Sequence, residues 1–382
     1  MNRTPFFCAL AVAVILALTA WRVEGLNHLW AAVIGIAAGI VLYNASFGFT
    51  SAWRNIVLNR RGRGLRAQML LLGLIVMVAY PLIAAGGAFG QDVRGTILPI
   101  GVGSAFGAFL FGIGMQLGSG CASGTLFTVG GGSTRMVVVL IFFIAGSVWA
   151  TADWDFWSSL PRMRSGVSLI NTLGWQWAVA VMMTAFGLIW WVSTVVERRA
   201  HGVLESERGT TVWSIWTGAV ALAVVALAFL FVLGRPWGIT YGFAVWGAQA
   251  AEFVGLDPTS WSYWSGWRRG NVQGGILSST TNASNVGILV GAMIAAAFAG
   301  RWAPVLRLSR RDVVTAIIGG LMMGYGARLA YGCNIGAYLG GLTSGSLHGI
   351  WWLVWGFAGS FLGVDLRLRI GMDPQPVKPA LI

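Results

Sequence analysis

The stretch GAFLFGIGMQLGSGCASG, residues 107–124, returns 212 residues later as GGLMMGYGARLAYGCNIG, residues 319–336. Seven positions are identical without a gap, and both copies surround a cysteine, Cys121 or Cys333, with glycine. Glycine permits backbone turns that other residues resist, so each copy predicts a break in an apolar helix. The chain therefore contains two related places where an apolar segment is interrupted beside a thiol.

Composition identifies the class of protein around these stretches. Of 382 residues, 57% are hydrophobic and 10% are charged, whereas a soluble domain contains roughly 25% charged residues. The net charge of +13 comes from arginines that lie mostly in loops between apolar segments, as the positive-inside rule of membrane proteins predicts. We therefore expect a polytopic membrane protein surrounded by the lipid bilayer, and no binding of nucleic acid.

Hydropathy predicts ten transmembrane helices, each close to the roughly 20 residues that a bilayer requires. They cover residues 5–22, 28–46, 67–87, 99–118, 135–152, 173–194, 211–233, 273–299, 312–329 and 347–364. Four further segments, at 47–53, 119–131, 236–250 and 332–345, are too short or too glycine-rich to count as spans. No convincing signal-peptidase site follows the first apolar run, so we expect a retained N-terminal span.

The arginines also orient the chain. Five lie in the loop Arg54–Arg66, four lie in Arg301–Arg311, and the C-terminal tail adds more. Placing these segments in the cytoplasm puts both termini inside. We therefore expect a multi-pass protein of the cell (inner) membrane with tryptophan-rich loops at its outer surface. These loops contain Trp154, Trp157, Trp175, Trp177, Trp261, Trp264 and Trp267.

Topology gives the repeat a direction. The span before Cys121 runs towards the cytoplasm and the span before Cys333 runs away from it, so the two copies are inverted. A weaker pair, FGFTSAW from Phe47 and WGITYGF from Trp237, aligns Gly48 with Gly238. Inverted repeats with interrupted helices are typical of transporters that bind their substrate near the membrane midplane.

We accordingly predict an all-α polytopic membrane protein, built as two inverted repeats with broken or re-entrant helices plus one extra N-terminal span. The predicted divisions are an N-terminal helix at 1–27, a first repeat at 28–172, a connecting helix and cytoplasmic loop at 173–210, a second repeat at 211–366 and a cytoplasmic tail at 367–382. A substrate site is expected between the two repeats.

The thiols indicate which substrate such a site would take. A helix that restarts inside the membrane presents unpaired N–H groups and partial positive charge, which favour an anion. Sulfur is soft and polarisable, so a cysteine beside these groups suits a small sulfur anion better than a hard oxyanion. Packing alone is the alternative for a buried cysteine, yet two of the three cysteines share one repeat position, which favours function.

The candidate substrate-binding and translocation residues follow from the repeat. They are the cysteines with the glycine before each, the paired glycines of the weaker repeat, and the residues five positions before each cysteine: Cys121, Cys333, Gly120, Gly332, Gly48, Gly238, Gln116 and Arg328. An arginine inside the membrane is costly and is usually functional or paired. A structural bond to a backbone carbonyl is the alternative for Arg328.

The sequence lacks the residue patterns of metal sites, redox motifs and phosphate-binding loops. The three histidines are dispersed and unlike a metal-ligand set, H-E-x-x-H and C-x-x-C are absent, and no lysine stands in a phosphate-binding loop. We therefore predict no catalytic residue, metal or cofactor, and a permease that is not an enzyme. The alternative is a membrane thiol enzyme or sulfurtransferase that forms a cysteine persulfide, although no neighbouring His or Lys in the sequence would activate the thiolate.

Residues 324–349, GYGARLAYGCNIGAYLGGLTSGSLHG, resemble the signature of the YeeE/YedE sulfur-transport family. Residues 112–124 and the segment FGFTSAWRN, 47–55, resemble its other motifs. The resemblance implies an inner-membrane importer of thiosulfate or a related sulfur or selenium species, an hourglass of spans with re-entrant helices, and transport cysteines at Cys121 and Cys333. A cytoplasmic sulfur-carrier protein also fits it. Relatives often have Phe-Cys-Phe where this chain has Gly48, so one thiol of the family pattern is missing.

Overall fold

The computed structural model describes residues 1–88, 90–206, 212–304 and 307–373. Within these residues the chain is mostly helical, and ten helical stretches are long and apolar enough to cross a membrane. The prediction of an all-α polytopic membrane protein is therefore confirmed. The ten are Arg3–Glu24, Leu26–Asn59, Arg63–Ala84, Val102–Gly130, Thr134–Ala152, Trp175–His201, Ile215–Leu233, Thr280–Phe298, Arg310–Thr343 and Leu347–Arg369.

Several of these stretches contain a break, so the individual α-helices are shorter. The first part of the chain forms α1 Arg3–Thr19, α2 Leu26–Ala45, α3 Phe49–Asn59, α4 Arg63–Ala84, α5 Val102–Gly118, α6 Ala122–Gly130 and α7 Thr134–Ala152. The connecting part forms α8 Trp154–Ser159, α9 Leu169–Leu173 and α10 Trp175–His201. The last part forms α11 Ile215–Leu233, α12 Thr240–Phe253, α13 Trp267–Gln273, α14 Thr280–Phe298, α15 Arg310–Leu329, α16 Gly340–Thr343 and α17 Leu347–Arg369.

Minor elements complete the path of the chain. One π-helix, Ala20–Glu24, extends α1, and a second, Asn334–Leu339, precedes α16. Two 3-10 turns lie at Pro258–Ser260 and Ser262–Trp264. The only sheet in the described residues is a hairpin between α4 and α5, in which β1 Gly87–Ala88 pairs antiparallel with β2 Gln91–Asp92. Strands therefore play almost no part in this fold.

The two helices that precede the cysteines, α5 and α15, cross at their glycines. A Cβ atom on Gly107 would lie 2.7 Å from the carbonyl oxygen of Gly326, and a Cβ atom on Gly326 would lie 2.5 Å from that of Gly107. Gly114 and Gly319 repeat the arrangement at 2.9 Å in both directions. Because Gly107 corresponds to Gly319 and Gly114 to Gly326 in the repeat, the contacts have the reciprocal pattern that two inverted copies would produce.

The outer partners of these two helices follow the same pattern. A Cβ atom on Gly112 of α5 would lie 2.6 Å from the backbone nitrogen of Ser360 in α17. A Cβ atom on the equivalent Gly324 of α15 would lie 2.6 Å from the backbone nitrogen of Ser147 in α7. Small residues allow such close approach between membrane helices, where packing provides much of the attraction. The core of the protein is therefore a set of four tightly packed helices.

Two sequence predictions differ from the structure. The single span predicted at 273–299 is divided: α13 ends at Gln273, two glycines follow, and α14 starts at Thr280, where the hydroxyl of Ser279 accepts a hydrogen bond from the backbone N–H of Asn282 at 3.2 Å. Trp264, predicted at the outer membrane interface, is fully buried. Its indole N–H donates to the hydroxyl of Thr151 at 3.1 Å, which satisfies the polar end inside the protein.

Candidate functional site

Each repeat cysteine is the residue from which a short helix restarts. After α5, Ser119 adopts the left-handed backbone conformation with φ of 66°, and after α15 Tyr331 adopts it with φ of 58°. Two residues later, Cys121 and Cys333 both have extended backbone and form the N-terminal caps of α6 and of the second π-helix. The predicted helix breaks are therefore present at equivalent positions of the two copies.

Both thiols are closed off from solvent, since only 1% of Cys121 and 0% of Cys333 is exposed. Each sulfur faces the backbone N–H groups of the residues two and three positions further on. Neither sulfur makes a capping hydrogen bond to its helix. Sγ of Cys121 also lies 3.4 Å from the hydroxyl of Ser123. The two cysteines are near enough that a charge on one would act on the other.

The two glycines that precede the cysteines have different surroundings. A Cβ atom on Gly332 would lie 2.7 Å from the backbone nitrogen of Ala337, so only glycine fits there without a shift of the backbone. At Gly120 the nearest atom would be the terminal methyl of Met136 at 3.4 Å, an ordinary contact. Glycine is therefore required by space at Gly332 but not at Gly120.

Gly48 and Gly238 lie at the starts of α3 and α12, as their alignment in the weaker repeat predicts. Gly48 caps α3 directly, with φ of −124° and ψ of 123°, whereas α12 is capped by Ile239. A Cβ atom on Gly238 would meet nothing within 4 Å, and one on Gly336 would lie 3.8 Å from the Cα of Gly238. Gly238 therefore adjoins the π-helix that starts after Cys333.

Gln116 is fully buried and joins three helices. Its side-chain N–H₂ donates to the carbonyl oxygen of Thr50 in α3 at 3.2 Å and to the hydroxyl of Ser360 in α17 at 2.7 Å. Its side-chain oxygen has no partner in the described protein. Gln116 therefore holds the segment that contains Gly48 close to the end of α5.

Arg328 occupies the position equivalent to Gln116, but it points to aromatic rings. Only 6% of the residue is exposed, and Nε and Nη1 have no hydrogen-bond partner in the described protein. The guanidinium carbon lies 5.2 Å from the ring centre of Tyr263 and 6.0 Å from that of Tyr241. A cation against such ring faces is stabilised by the ring quadrupole, but its charge is not neutralised. Arg328 therefore packs against aromatic rings, whereas the alternative drawn from the sequence was a bond to a backbone carbonyl.

Other buried polar atoms near the breaks have no protein partner in the described residues. They are the hydroxyl of Thr50, both side-chain polar atoms of Asn334 and the hydroxyl of Tyr338. Buried polar groups are nearly always satisfied by protein, water or ligand. Asn334 directly follows Cys333. The ring of Tyr338 packs edge-on against that of Phe49, with 6.1 Å between the ring centres. The sequence did not single out these residues, although the asparagine beside the second cysteine was a signal in it.

A cavity of about 170 Å³ adjoins the Cys333 motif. Aliphatic and aromatic side chains form about half of its wall: Leu98, Phe229, Leu233, Pro236, Trp237, Ile239 and Trp267. The polar part of the wall consists of glycine backbone, hydroxyl groups and one arginine: Gly238, Gly336, Thr240, Thr280, Thr281, Ser284, Tyr331 and Arg235. The guanidinium of Arg235 donates to the hydroxyl of Thr280. This wall suits a small anion, because it combines N–H and O–H donors with a fixed positive charge.

Two arginines, Arg135 and Arg367, contact the end of α5 just before Cys121. Arg135 of α7 donates to the carbonyl oxygens of Leu117 and Gly118 at 2.9 and 2.7 Å. Arg367 of α17 donates to the carbonyl oxygen of Gln116 at 2.6 Å and to the hydroxyl of Ser119 at 2.8 Å. The sequence shows these arginines only as loop charge, so their role at the end of α5 was not predicted. Within the described residues, no three His, Cys, Asp or Glu side chains gather as a metal site would require.

Comparison with known proteins identifies the family. The sequence profile described as sulphur transport matches residues 44–362. The chain belongs to the sulphur transport family. The resemblance drawn from the cysteine motifs is therefore confirmed, and a transport protein is favoured over an enzyme at the level of the family.

Individual relatives agree with this assignment. The chain is 29% identical over 330 residues to the thiosulfate transporter TsuA of Spirochaeta thermophila. The aligned region covers 81% of this chain and 90% of TsuA. It is 28% identical over 172 residues to the probable transporters YedE of Escherichia coli and of Salmonella typhimurium, which covers 44% of this chain. The matches to YedE span 42% of the length of those proteins.

Proposed function

We propose that the protein imports a small sulfur-containing anion, most readily thiosulfate, across the inner membrane along a path that passes Cys333 and Cys121. One observation carries the proposal: two inverted helix breaks each bury a thiol at the start of a short helix. Membership of the sulphur transport family and the similarity to a thiosulfate transporter support the same substrate class.

The proposed path begins at the cavity beside Gly238 and ends at the arginines beside the end of α5. We assign the cavity to the outer face and the arginines to the cytoplasm, because the positive-inside rule favours that orientation. The chain then divides as proposed from the sequence, with repeats at 28–172 and 211–366 around the path. The arginine-rich end is where a cytoplasmic sulfur-carrier protein would collect the anion.

The lining favours a soft anion over a hard one. Thiosulfate carries a terminal sulfur that a thiol meets in a polarisable, weak S–H···S contact, while its oxygens require N–H and O–H donors. The backbone N–H groups after each cysteine provide such donors at a helix N-terminus. Sulfate has no soft end, so we expect it to compete poorly. Burial of both thiols implies that the anion enters only when the helices around the breaks move apart.

The decisive experiment is uptake of ³⁵S-labelled thiosulfate into proteoliposomes by wild type, Cys121→Ser and Cys333→Ser. Cys8 is exposed on α1, outside the proposed path, so Cys8→Ser is the matched control. We expect uptake to fall in both repeat variants and to persist in Cys8→Ser, with unlabelled sulfate a poor competitor. Equal uptake by all four proteins would refute the cysteine path.

The same experiment separates the other candidate activities. Mass spectrometry of Cys121 and Cys333 during turnover tests whether either carries a persulfide, which a sulfurtransferase would require and a permease would not. Competition by selenium analogues tests whether the path accepts selenium in place of sulfur. Wild-type protein that carries no thiosulfate would refute the proposed substrate.

A further inference from the structure

The carboxylate of Asp373, beyond the end of α17, is held by an arginine that also touches the Cys121 break. Nε and Nη2 of Arg367 donate to the two oxygens of Asp373 at 2.6 and 2.8 Å. Nη1 of the same guanidinium donates to the hydroxyl of Ser119, two residues before Cys121. Only 6% and 14% of the two charged side chains are exposed. One arginine therefore joins the chain beyond α17 to the end of the proposed path.

We propose that Arg367 is an anion-binding station at the cytoplasmic end of the path, which Asp373 occupies in this structure and which the transported oxyanion takes in its place. This inference rests on the proposed transport function. Arginine binds carboxylates and other oxyanions through the same two parallel N–H groups. The carboxylate of Asp373 therefore marks where two oxygens of a sulfur oxyanion would lie.

The charge around the station supports this assignment. The charges of Arg367 and Asp373 both act on the guanidinium of Arg54. The charge of Arg367 also acts on Arg135, whose Nε lies 3.8 Å from Oδ1 of Asp312. Arg311 also acts on Asp312, so four arginines accompany two carboxylates. If Asp373 withdraws, the cluster has three positive charges in excess, which attract an incoming dianion. Asp373 itself remains ionised, because the hydrogen bonds from Arg367 hold its pKa below the ordinary value.

The opposite end of the path has a counterpart. Arg328 lies five residues before Cys333, is buried, and has unpaired N–H groups in the described protein. Its equivalent near Cys121 is the neutral Gln116, so the first repeat has no cation on α5 itself. Arg367 supplies that charge from α17, where it also contacts the backbone of Gln116. The end of the helix before each buried cysteine would then carry at least one buried arginine.

The test compares Asp373→Asn with Asp365→Asn. Asp365 forms a more exposed pair with Arg369 on the same helix, with 41% and 73% of the side chains exposed, so it controls for loss of one carboxylate. The half-saturating thiosulfate concentration is measured from the face that carries Asp373, in vesicles with uniformly oriented protein. A tethered competitor acts at roughly millimolar effective concentration, so we expect Asp373→Asn to lower that value by about three- to tenfold. Asp365→Asn should leave it unchanged.

The arginine variants make the interpretation specific. Arg367→Gln should raise the half-saturating concentration, and Asp373→Asn should have no further effect in that background. Arg367→Lys keeps the charge without the paired N–H groups and should fall between wild type and Arg367→Gln. An Asp373→Asn protein with unchanged affinity and a lower melting temperature would assign the pair to structure alone and overturn the proposal.

Equilibrium binding distinguishes failure of this proposal from failure of the transport function. Labelled thiosulfate is titrated onto wild type, Asp373→Asn and Arg367→Gln in detergent, without any flux. Tighter binding by Asp373→Asn that depends on Arg367 supports the station even where uptake is absent. Identical binding by all three proteins rejects the station, whatever the wild type transports.

Discussion

Ser119 and Tyr331 share one backbone conformation although 212 residues separate them: both are left-handed, with φ of 66° and 58°. Left-handed backbone is unfavourable for residues with a Cβ, by about 1–2 kcal/mol. Each of these residues lies two positions before a buried cysteine. The strain is therefore placed at the same point of both copies, where it directs the chain from one helix into the next.

A substitution at Ser119 tests how much this conformation matters. Ser119→Ala and Ser119→Val both remove the hydroxyl that Arg367 contacts, but only valine is β-branched and resists the left-handed conformation. We expect Ser119→Val to have a free energy of unfolding about 1–2 kcal/mol below that of Ser119→Ala. Thermal unfolding in one detergent compares the two. Equal stability would show that the break adopts another conformation.

The crossing of α5 and α15 yields a second prediction. Alanine at Gly107 would place its methyl 2.6 Å from the Cβ of Leu329, and alanine at Gly326 would place it 2.5 Å from the carbonyl oxygen of Gly107. Each added methyl would also press against the backbone of the facing helix, which cannot rotate away as a side chain can. We therefore expect each variant to lose about 1–3 kcal/mol of stability.

Gly187 of α10 is the matched control for that prediction, because a Cβ there would meet nothing within 4 Å. Gly187→Ala should be neutral or stabilising by up to about 1 kcal/mol, as expected for a helical glycine. Melting temperatures of the three variants, measured side by side, are sufficient. A loss at Gly187 as large as at Gly107 would indicate a general sensitivity of these helices and contradict the crossing.

Much of this architecture was readable from the sequence, for a physical reason. The spans and the cysteine breaks are local features, set by hydropathy and by glycines next to one another in the chain. The contacts of Arg367 and Asn334 were not readable, because they depend on which helix ends meet in space. Arg367 looked like ordinary cytoplasmic charge, and the split of the span at 273–299 depended on Gly274 and Gly275 within a weakly apolar segment.

Gly48 stands where the family resemblance implies a cysteine, which leads to a gain-of-function prediction. Gly48 has extended backbone that any residue adopts, and the one close contact of a Cβ there would be the hydroxyl of Ser51 at 2.7 Å. Rotation of the Ser51 side chain relieves it, at the loss of the hydrogen bond from that hydroxyl to the carbonyl oxygen of Gly48. We expect Gly48→Cys to fold with a stability within about 1 kcal/mol of Gly48→Ala. Thiosulfate uptake should be faster in Gly48→Cys than in Gly48→Ala, since only the thiol differs in kind. Slower uptake in the cysteine variant would count against a thiol at this position of the path.

Arg328 provides the sharpest separation of function from packing. A buried guanidinium whose charge is not neutralised destabilises the substrate-free protein, and a bound anion would offset that cost. A neutral side chain of similar length should therefore leave the fold intact. We expect Arg328→Gln to match or exceed the wild type in melting temperature while thiosulfate uptake falls at least about tenfold, the loss of one charged hydrogen bond to the anion. Arg328→Lys should retain part of the uptake, because it keeps the charge against Tyr263 and Tyr241 but has no planar fork. A fall in melting temperature with unchanged uptake would instead make Arg328 a structural cation held by its two tyrosines.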